Sequence, residues 1–219
     1  MEMKIERWFY MILTQRDVDI ITSIQKWRFL LSRQIKVLCG FSGQRACDRR
    51  LKKLIEAGYI ERKHFIFGVP RLYFVTRKAV KLLDLEYYTP NVRIEQITHD
   101  IAVIDTAIYL IKNEGVEKSS ITTEREMKHK AGFGNPKHFP DFIYYTKENK
   151  TFCVEVELSA KKPTTLERNI KNNYKVYDVQ RWFIPSDRQK VVDNVKSIGE
   201  KYGVKIEPLE KVVGYVKGV

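Results

Sequence analysis

Along the first ninety residues, apolar positions recur at helical spacing three times and then switch to alternation. "TQRDVDIITSIQKWRFL", from Thr14, sets Val18, Ile21, Ile24 and Trp27 about a turn apart, which predicts an amphipathic helix with Thr14 as its N-cap. "LSRQIKVLCGFS" predicts a second, shorter helix, capped by Ser32, with Ile35, Leu38 and Cys39 turned inward and Gly40 as its stop. Ser42 is the expected cap of "GQRACDRRLKKLIEAGYI", whose Cys47, Leu51, Leu54 and Ile55 share one side of a third helix. After Gly58 the period falls to two: "YIERKHFIFGVPRLYFVT" predicts two strands joined through Gly68-Val69-Pro70. Thr76 opens a fourth helix, "TRKAVKLLDLEYY", and the turn formers Thr89-Pro90-Asn91 mark a domain boundary.

Beyond that boundary, "IEQITHDIAVIDTAIYLI" carries Ile97, Ile101, Ile104 and Ile108 at helical spacing and predicts a mostly buried helix. "SSITTEREMKHK" is read as a strand edge, followed by a Gly- and Pro-containing stretch from Gly132 to Phe139. "PDFIYYTKENKTFCVEVELSAKK" predicts two strands around a turn near Glu148 to Lys150. Thr164 and Glu167 form a T-x-x-E capping box for a helix ending at Lys175, "DVQRWFIP" is a buried strand stopped by Pro185, and Asp187 to Tyr202 is a further helix. "GVKIEPL" and "KVVGYV" are expected to close the sheet. The expected fold class is α/β (α+β overall): residues 1–90 as a helical domain with a hairpin, and 91–219 as a mixed-sheet domain.

Composition sharpens this picture. With 219 residues, 43% hydrophobic and 12% aromatic, the chain can bury a real core. The net charge of +13 is uneven: residues 1–90 hold 18 Lys and Arg against 9 Asp and Glu, the rest 22 against 18. A basic excess in the first part implies a polyanionic partner, although ribosomal or membrane-surface binding gives a similar bias. Three cysteines without metal-ligand spacing read as small buried hydrophobes in a reducing cytosol. The apolar run Trp8 to Leu13 is too short for a signal peptide or a membrane span, so a cytoplasmic protein with no membrane partner is expected.

Three helices and a hairpin make a winged helix-turn-helix, in which the third helix enters the major groove of DNA. Here that helix exposes a cationic stripe. The expected DNA-binding residues are Gln44, Arg45, Arg49, Lys52 and Lys53 on the helix, with Arg62, Lys63 and Arg71 on the hairpin. Two alternatives stand beside this reading: a merely solvated face, or a docking module for an acidic protein.

In the second domain, strand alternation points Glu155 and Glu157 to one face and Val154, Val156 and Leu158 to the other, with Asp141 roughly opposite on the neighbouring strand. Three adjacent acids repel one another, and a divalent cation would relieve them. Oxygen-only ligation suits Mg²⁺ or Mn²⁺, the ions used in phosphodiester cleavage. The competing reading is a solvated strand face paired with Lys147, Lys150 or Lys161. His99 is read as a hydrogen-bonded histidine beside the core, and His64, His129 and His138 show no ligand spacing. Trp182 and Tyr144, Tyr145, Tyr174 and Tyr177 are read as packing rather than base stacking.

"PD" at Pro140-Asp141, "EVE" at Glu155 to Glu157 and the following "SAKK" resemble the PD-(D/E)xK nuclease fold. From residue 14 to about 185 the chain resembles the replication-relaxation family of bacterial mobile elements, which pairs a winged helix with a PD-(D/E)xK-like domain; "THDIAVIDTAI" and "TERE" at Thr123 to Glu126 match its intervening elements. The resemblance implies catalytic roles for Asp141, Glu155, Glu157 and Lys161, and a Mg²⁺ or Mn²⁺ site at Asp141 and Glu155 with Glu124 or Asp100 as a further acid. Glu157 stands where the motif wants lysine, so Lys161, Lys162 or Lys128 has to substitute, and if none reaches, the domain is a catalytically silent descendant. The implied function is a DNA-binding protein of plasmid replication, relaxation or transfer, nicking DNA if active. Its partners would be double-stranded DNA and replication or relaxase proteins, and a homodimer is left open. The alternative is a non-catalytic winged-helix regulator whose C-terminal domain dimerises or binds a partner.

Overall fold

Thr14 starts the first helix as its spacing predicts: its N–H and hydroxyl both donate to Asp17 Oδ2 at 2.7 Å. In this computed structural model, residues 12–86, 92–132 and 137–212 are described, and the chain divides into two compact units after Ile94. The expected boundary at Thr89-Pro90-Asn91 and most of the Trp8 to Leu13 run lie outside the described residues.

The first unit runs α1 (Gln15–Trp27), α2 (Ser32–Leu38), α3 (Gln44–Glu56), β1 (Ile60–Lys63), β2 (Leu72–Val75) and α4 (Arg77–Leu82). Two caps differ from expectation. Ser32 is the first residue of α2 rather than its cap, because Gln34 Oε1 already takes the Leu31 N–H at 2.9 Å and the Ser32 hydroxyl accepts from Gln44 Nε2 at 2.8 Å. Gly43 rather than Ser42 precedes α3, since Ser42 lies one residue too early to reach the first-turn amides. Gly40 ends α2 at φ +63°, where the Phe41 N–H returns to the Lys36 carbonyl at 2.9 Å. Thr76 caps α4, accepting from the Ala79 N–H at 3.3 Å.

Ile20, Ile24, Ile35, Leu51 and Leu54 are fully buried where the three helices meet, each contributing on the order of 2 kcal/mol of apolar transfer. Strands β1 and β2 pair antiparallel, with Ile60 opposite Val75, and Leu30 bridges to Tyr73 on the outer side of β2. Beneath this core Arg50 of α3 grips the buried Asp17 carboxylate with two donors.

The second unit runs α5 (Ile97–Asn113), β3 (Thr122–Thr123), α6 (Glu124–Ala131), β4 (Phe142–Tyr145), β5 (Thr151–Val156), α7 (Pro163–Tyr174), β6 (Val179–Ile184), α8 (Gln189–Gly199) and β7 (Lys205–Pro208). Its five strands lie in chain order. The pairs β3–β4 and β4–β5 are antiparallel and β5–β6 and β6–β7 parallel, so the sheet is mixed as expected.

Three local expectations are corrected. "SSITTEREMKHK" gives only a two-residue strand and then α6, because the Thr123 N–H and hydroxyl donate to Glu126 Oε2 at 2.7 and 2.9 Å and start a helix. Thr164 does not cap α7: Pro163, with its fixed φ, occupies the first helical position, Lys162 precedes it, and Glu167 pairs with Lys171 at 2.8 Å instead. Glu210 to Val212 are helical rather than strand, and the rest of "KVVGYV" lies outside the described residues.

Leu166 and Ile170 of α7, Trp182 and Ile184 of β6, and Val191 and Val195 of α8 make one core cluster, and Met127 of α6 packs with Ile143 and Cys153 in another. Trp182 and Tyr144 are buried, as a packing role requires, whereas Tyr145 and Tyr174 are exposed. On β6 the nearly buried Arg181 ties the sheet together, donating to Glu114 beyond α5 at 2.6 and 2.8 Å, to Glu207 of β7 at 2.6 Å and to the Tyr144 hydroxyl at 3.0 Å.

Candidate functional site

Helix α3 buries Cys47, Leu51 and Leu54 and leaves Arg45, Arg49, Lys52 and Lys53 exposed on its other side, as the period of 3.6 demands. Gln44 is otherwise engaged: its amide donates to Ser32 Oγ and to Asp48 Oδ1 at 2.9 Å, pinning the start of α3 to α2. Arg62, Lys63 and Arg71 are exposed on the hairpin, and Arg62 donates to the Tyr73 hydroxyl. Between α3 and the hairpin lies a cleft of about 810 Å³ lined by Arg49, Lys52, Arg62 and Arg71. Three acids temper this face: Asp48, which lines the same cleft, Glu56 at 3.8 Å from Lys52 and Glu61 at 2.7 Å from Lys63.

In the second unit the carboxylates stand at the end of β5. Neither Glu155 nor Glu157 is solvated: they are 2% and 4% exposed, which removes the reading of an open polar strand face. Alternation places Glu155 on the same side of β5 as Cys153, which packs with Met127 of α6. There Glu155 Oε1 accepts from His138 Nε2 at 2.7 Å and from Asn173 Nδ2 of α7 at 2.9 Å.

Glu157 pairs with Lys161 Nζ at 2.5 Å, not with Lys147 or Lys150. Burial pushes the Glu157 carboxyl above the usual range, and Lys161 only partly offsets it. Burial also works against the Lys161 ammonium, but Glu155, Glu157 and Asp141 together outweigh it and hold the lysine protonated.

Asp141 directly precedes β4, and the β4–β5 register continued by one residue sets it opposite Glu155. Its Oδ2 accepts from the Val156 N–H at 2.7 Å and lies 3.6 Å from His99 Nε2, which also reaches the Val156 carbonyl at 3.0 Å. Burial pulls the His99 pKa down, yet the Asp100 and Asp141 carboxylates flanking the ring overcome it and push it up to about 11. Burial likewise raises Asp141, but His99, the Val156 amide and Lys161 outweigh it and hold the carboxyl below the ordinary range.

The fold thus gathers Asp141, Glu155, Glu157 and Lys161, and adds His99, His138 and Asn173. Glu124 is not gathered: its side chain pairs with Lys128 at 2.5 Å, and only its backbone N–H touches Asp141, at the carbonyl. Lys128 is accounted for by the same pair, and Lys162 is exposed.

A divalent ion needs several free carboxylate oxygens converging on one point. Here each acid already takes a protein donor or cation, and among the described residues no group of three or more His, Cys, Asp or Glu is placed to hold a metal. As placed, the set is a buried network in which Lys161 and the His99 imidazolium neutralise the acids. His138 and Asn173 lie 17 and 18 residues from Glu155 with no motif to announce them.

No curated protein matches the chain. The family profile described as replication-relaxation matches residues 21–185, running from within α1 through β6. A match over most of both units shows that the chain belongs to the replication-relaxation family.

Proposed function

We propose that the protein is a duplex-DNA-binding component of plasmid or mobile-element replication and relaxation, with the first unit acting as a winged helix-turn-helix. Family membership supplies the biological setting. The observation that carries DNA binding is the exposed row Arg45, Arg49, Lys52 and Lys53 on α3, backed by Arg62 and Arg71 across one cleft. Such a row gains affinity by releasing counterions from phosphates, and a helix with a neighbouring hairpin matches the width of the major groove and its flank. Among the described residues no helix is long and apolar enough to cross a membrane. Cytoplasmic action on DNA is part of the proposal.

The second unit, on this reading, holds DNA or partner proteins without hydrolysing DNA, its acids being balanced by Lys161 and His99. One observation favours the nucleolytic reading: Lys161 reaches the acids from the segment after β5, where a displaced motif lysine is expected to stand. A supercoiled-plasmid assay with Mg²⁺ and with Mn²⁺ separates the two. The protein is expected to shift the plasmid at low salt and leave it closed-circular. Nicking that is lost in Asp141→Ala while the shift persists would establish the nuclease instead.

A further inference from the structure

The hairpin of the first unit carries an aromatic side chain that packing does not explain. Phe67 is 97% exposed. It stands at the apex of the β1–β2 connection, in a turn closed by the Val69 N–H to the Ile66 carbonyl at 3.2 Å, and Gly68 takes φ +79° so that the chain can reverse there. The neighbouring aromatics behave differently. Phe65 meets Phe74 edge-on at 5.8 Å, and Phe74 meets Phe29 at 5.9 Å, so the base of the hairpin is fixed to the core. The backbone pair between Leu30 and Tyr73, at 2.9 and 3.2 Å, braces β2 from the other side. Phe67 is therefore an apolar tip on a braced arm.

Its surroundings select the partner. The charged residues of the hairpin are Arg62, Lys63 and Arg71 against the single acid Glu61, and Arg62, Lys63, His64 and Arg71 are all exposed. An apolar protein surface or a lipid interior would desolvate that cationic collar, whereas a polyanion satisfies it. Duplex DNA also offers an apolar slot of the right kind, the space between stacked base pairs opened from the minor groove, which single apolar side chains enter as wedges.

We propose that Phe67 is such a wedge, inserted from the hairpin tip between base pairs at a flexible pyrimidine–purine step while Arg62 and Arg71 hold the flanking phosphates. The proposal rests on the DNA-binding reading above. It assigns to the hairpin a deformation-sensitive preference separate from whatever α3 reads.

The test uses the full chain and short duplexes whose only pyrimidine–purine steps are TpA steps carrying 2-aminopurine, a base whose fluorescence rises on unstacking. Anisotropy reports binding on the same samples. The wild type is expected to bind with a steep salt dependence and to raise the fluorescence by roughly twofold or more, as unstacking by a wedge requires. Phe67→Ala is expected to keep the thermal midpoint and the salt slope, because the side chain packs against nothing and contacts no phosphate, but to lose the fluorescence rise. Phe67→Leu retains part of it. Binding by the wild type without a rise, or a rise that survives in Phe67→Ala, overturns the wedge, leaves DNA binding standing and points Phe67 to a protein contact. Absence of duplex binding by the wild type overturns the DNA-binding reading and the wedge together.

Discussion

Asp17 serves two elements at once: it takes the Thr14 donors that start α1 and the guanidinium of Arg50 from α3. Burial alone would raise its carboxyl, but the Arg50 fork and the Thr14 donors hold it below the ordinary range. Asp17→Asn strands Arg50 and should cost about 3 kcal/mol in urea unfolding. Because the folded pKa is depressed, this stabilisation is present above the unfolded value and is lost as pH falls through the folded one. The gap between wild type and Asp17→Asn should therefore close below about pH 4. His99 has the opposite sign. With its pKa raised to about 11, its contribution is complete below about pH 6.5 and fades as pH climbs toward the folded value. NMR ring shifts of His99 should stay flat through neutral pH, and a titration near 6.5 would contradict the clamp between Asp100 and Asp141. Asp141, Glu155 and Lys161 were legible from spacing and resemblance. His138 and Asn173 were not, because a hydrogen bond made across the fold leaves no periodic trace in the chain.

Elements were most legible where the apolar period is strong. In α3 the apolar spacing, the buried Cys47, Leu51 and Leu54 and the exposed cations coincide, although Gly43 rather than Ser42 precedes the helix; in α1 Thr14 stands at the cap as expected and Ile21 and Ile24 are buried, whereas Val18 and Trp27 are only half-buried. The misreading of α6 shows the opposite case: within the helix only Met127 is buried, so its burial pattern carries little period, and the Thr123–Glu126 box decides its conformation. Thr123→Ala should accordingly cost about 1 kcal/mol, measured by chemical denaturation, and fray α6 by helical hydrogen exchange. Strand β5 misled for a different reason. Alternation correctly separated Glu155 from Val154 and Val156, but β5 is an inner strand between β4 and β6, so its polar positions are buried and have to be paired rather than solvated. Lys161→Ala leaves Glu157 buried beside Glu155 without its cation, and a loss of about 3 kcal/mol is expected, read as a lowered urea midpoint.

At the scale of the whole molecule, the charge asymmetry and the family together support the proposed function. The first ninety residues carry 9 of the 13 net positive charges, and within the first unit the cations line one face of α3 and the facing side of the hairpin. The second unit spends its buried charges on one another, around Lys161 in one place and Arg181 in another. The central claim is that α3 meets phosphates, and it is tested most directly by the salt dependence of duplex binding in the wild type and in Arg45→Ala/Arg49→Ala. If both arginines contact phosphates, the slope of log K against log salt becomes shallower by about 2 and affinity falls on every duplex sequence alike. An unchanged slope and affinity in the double variant would contradict the account and remove α3 from the interface.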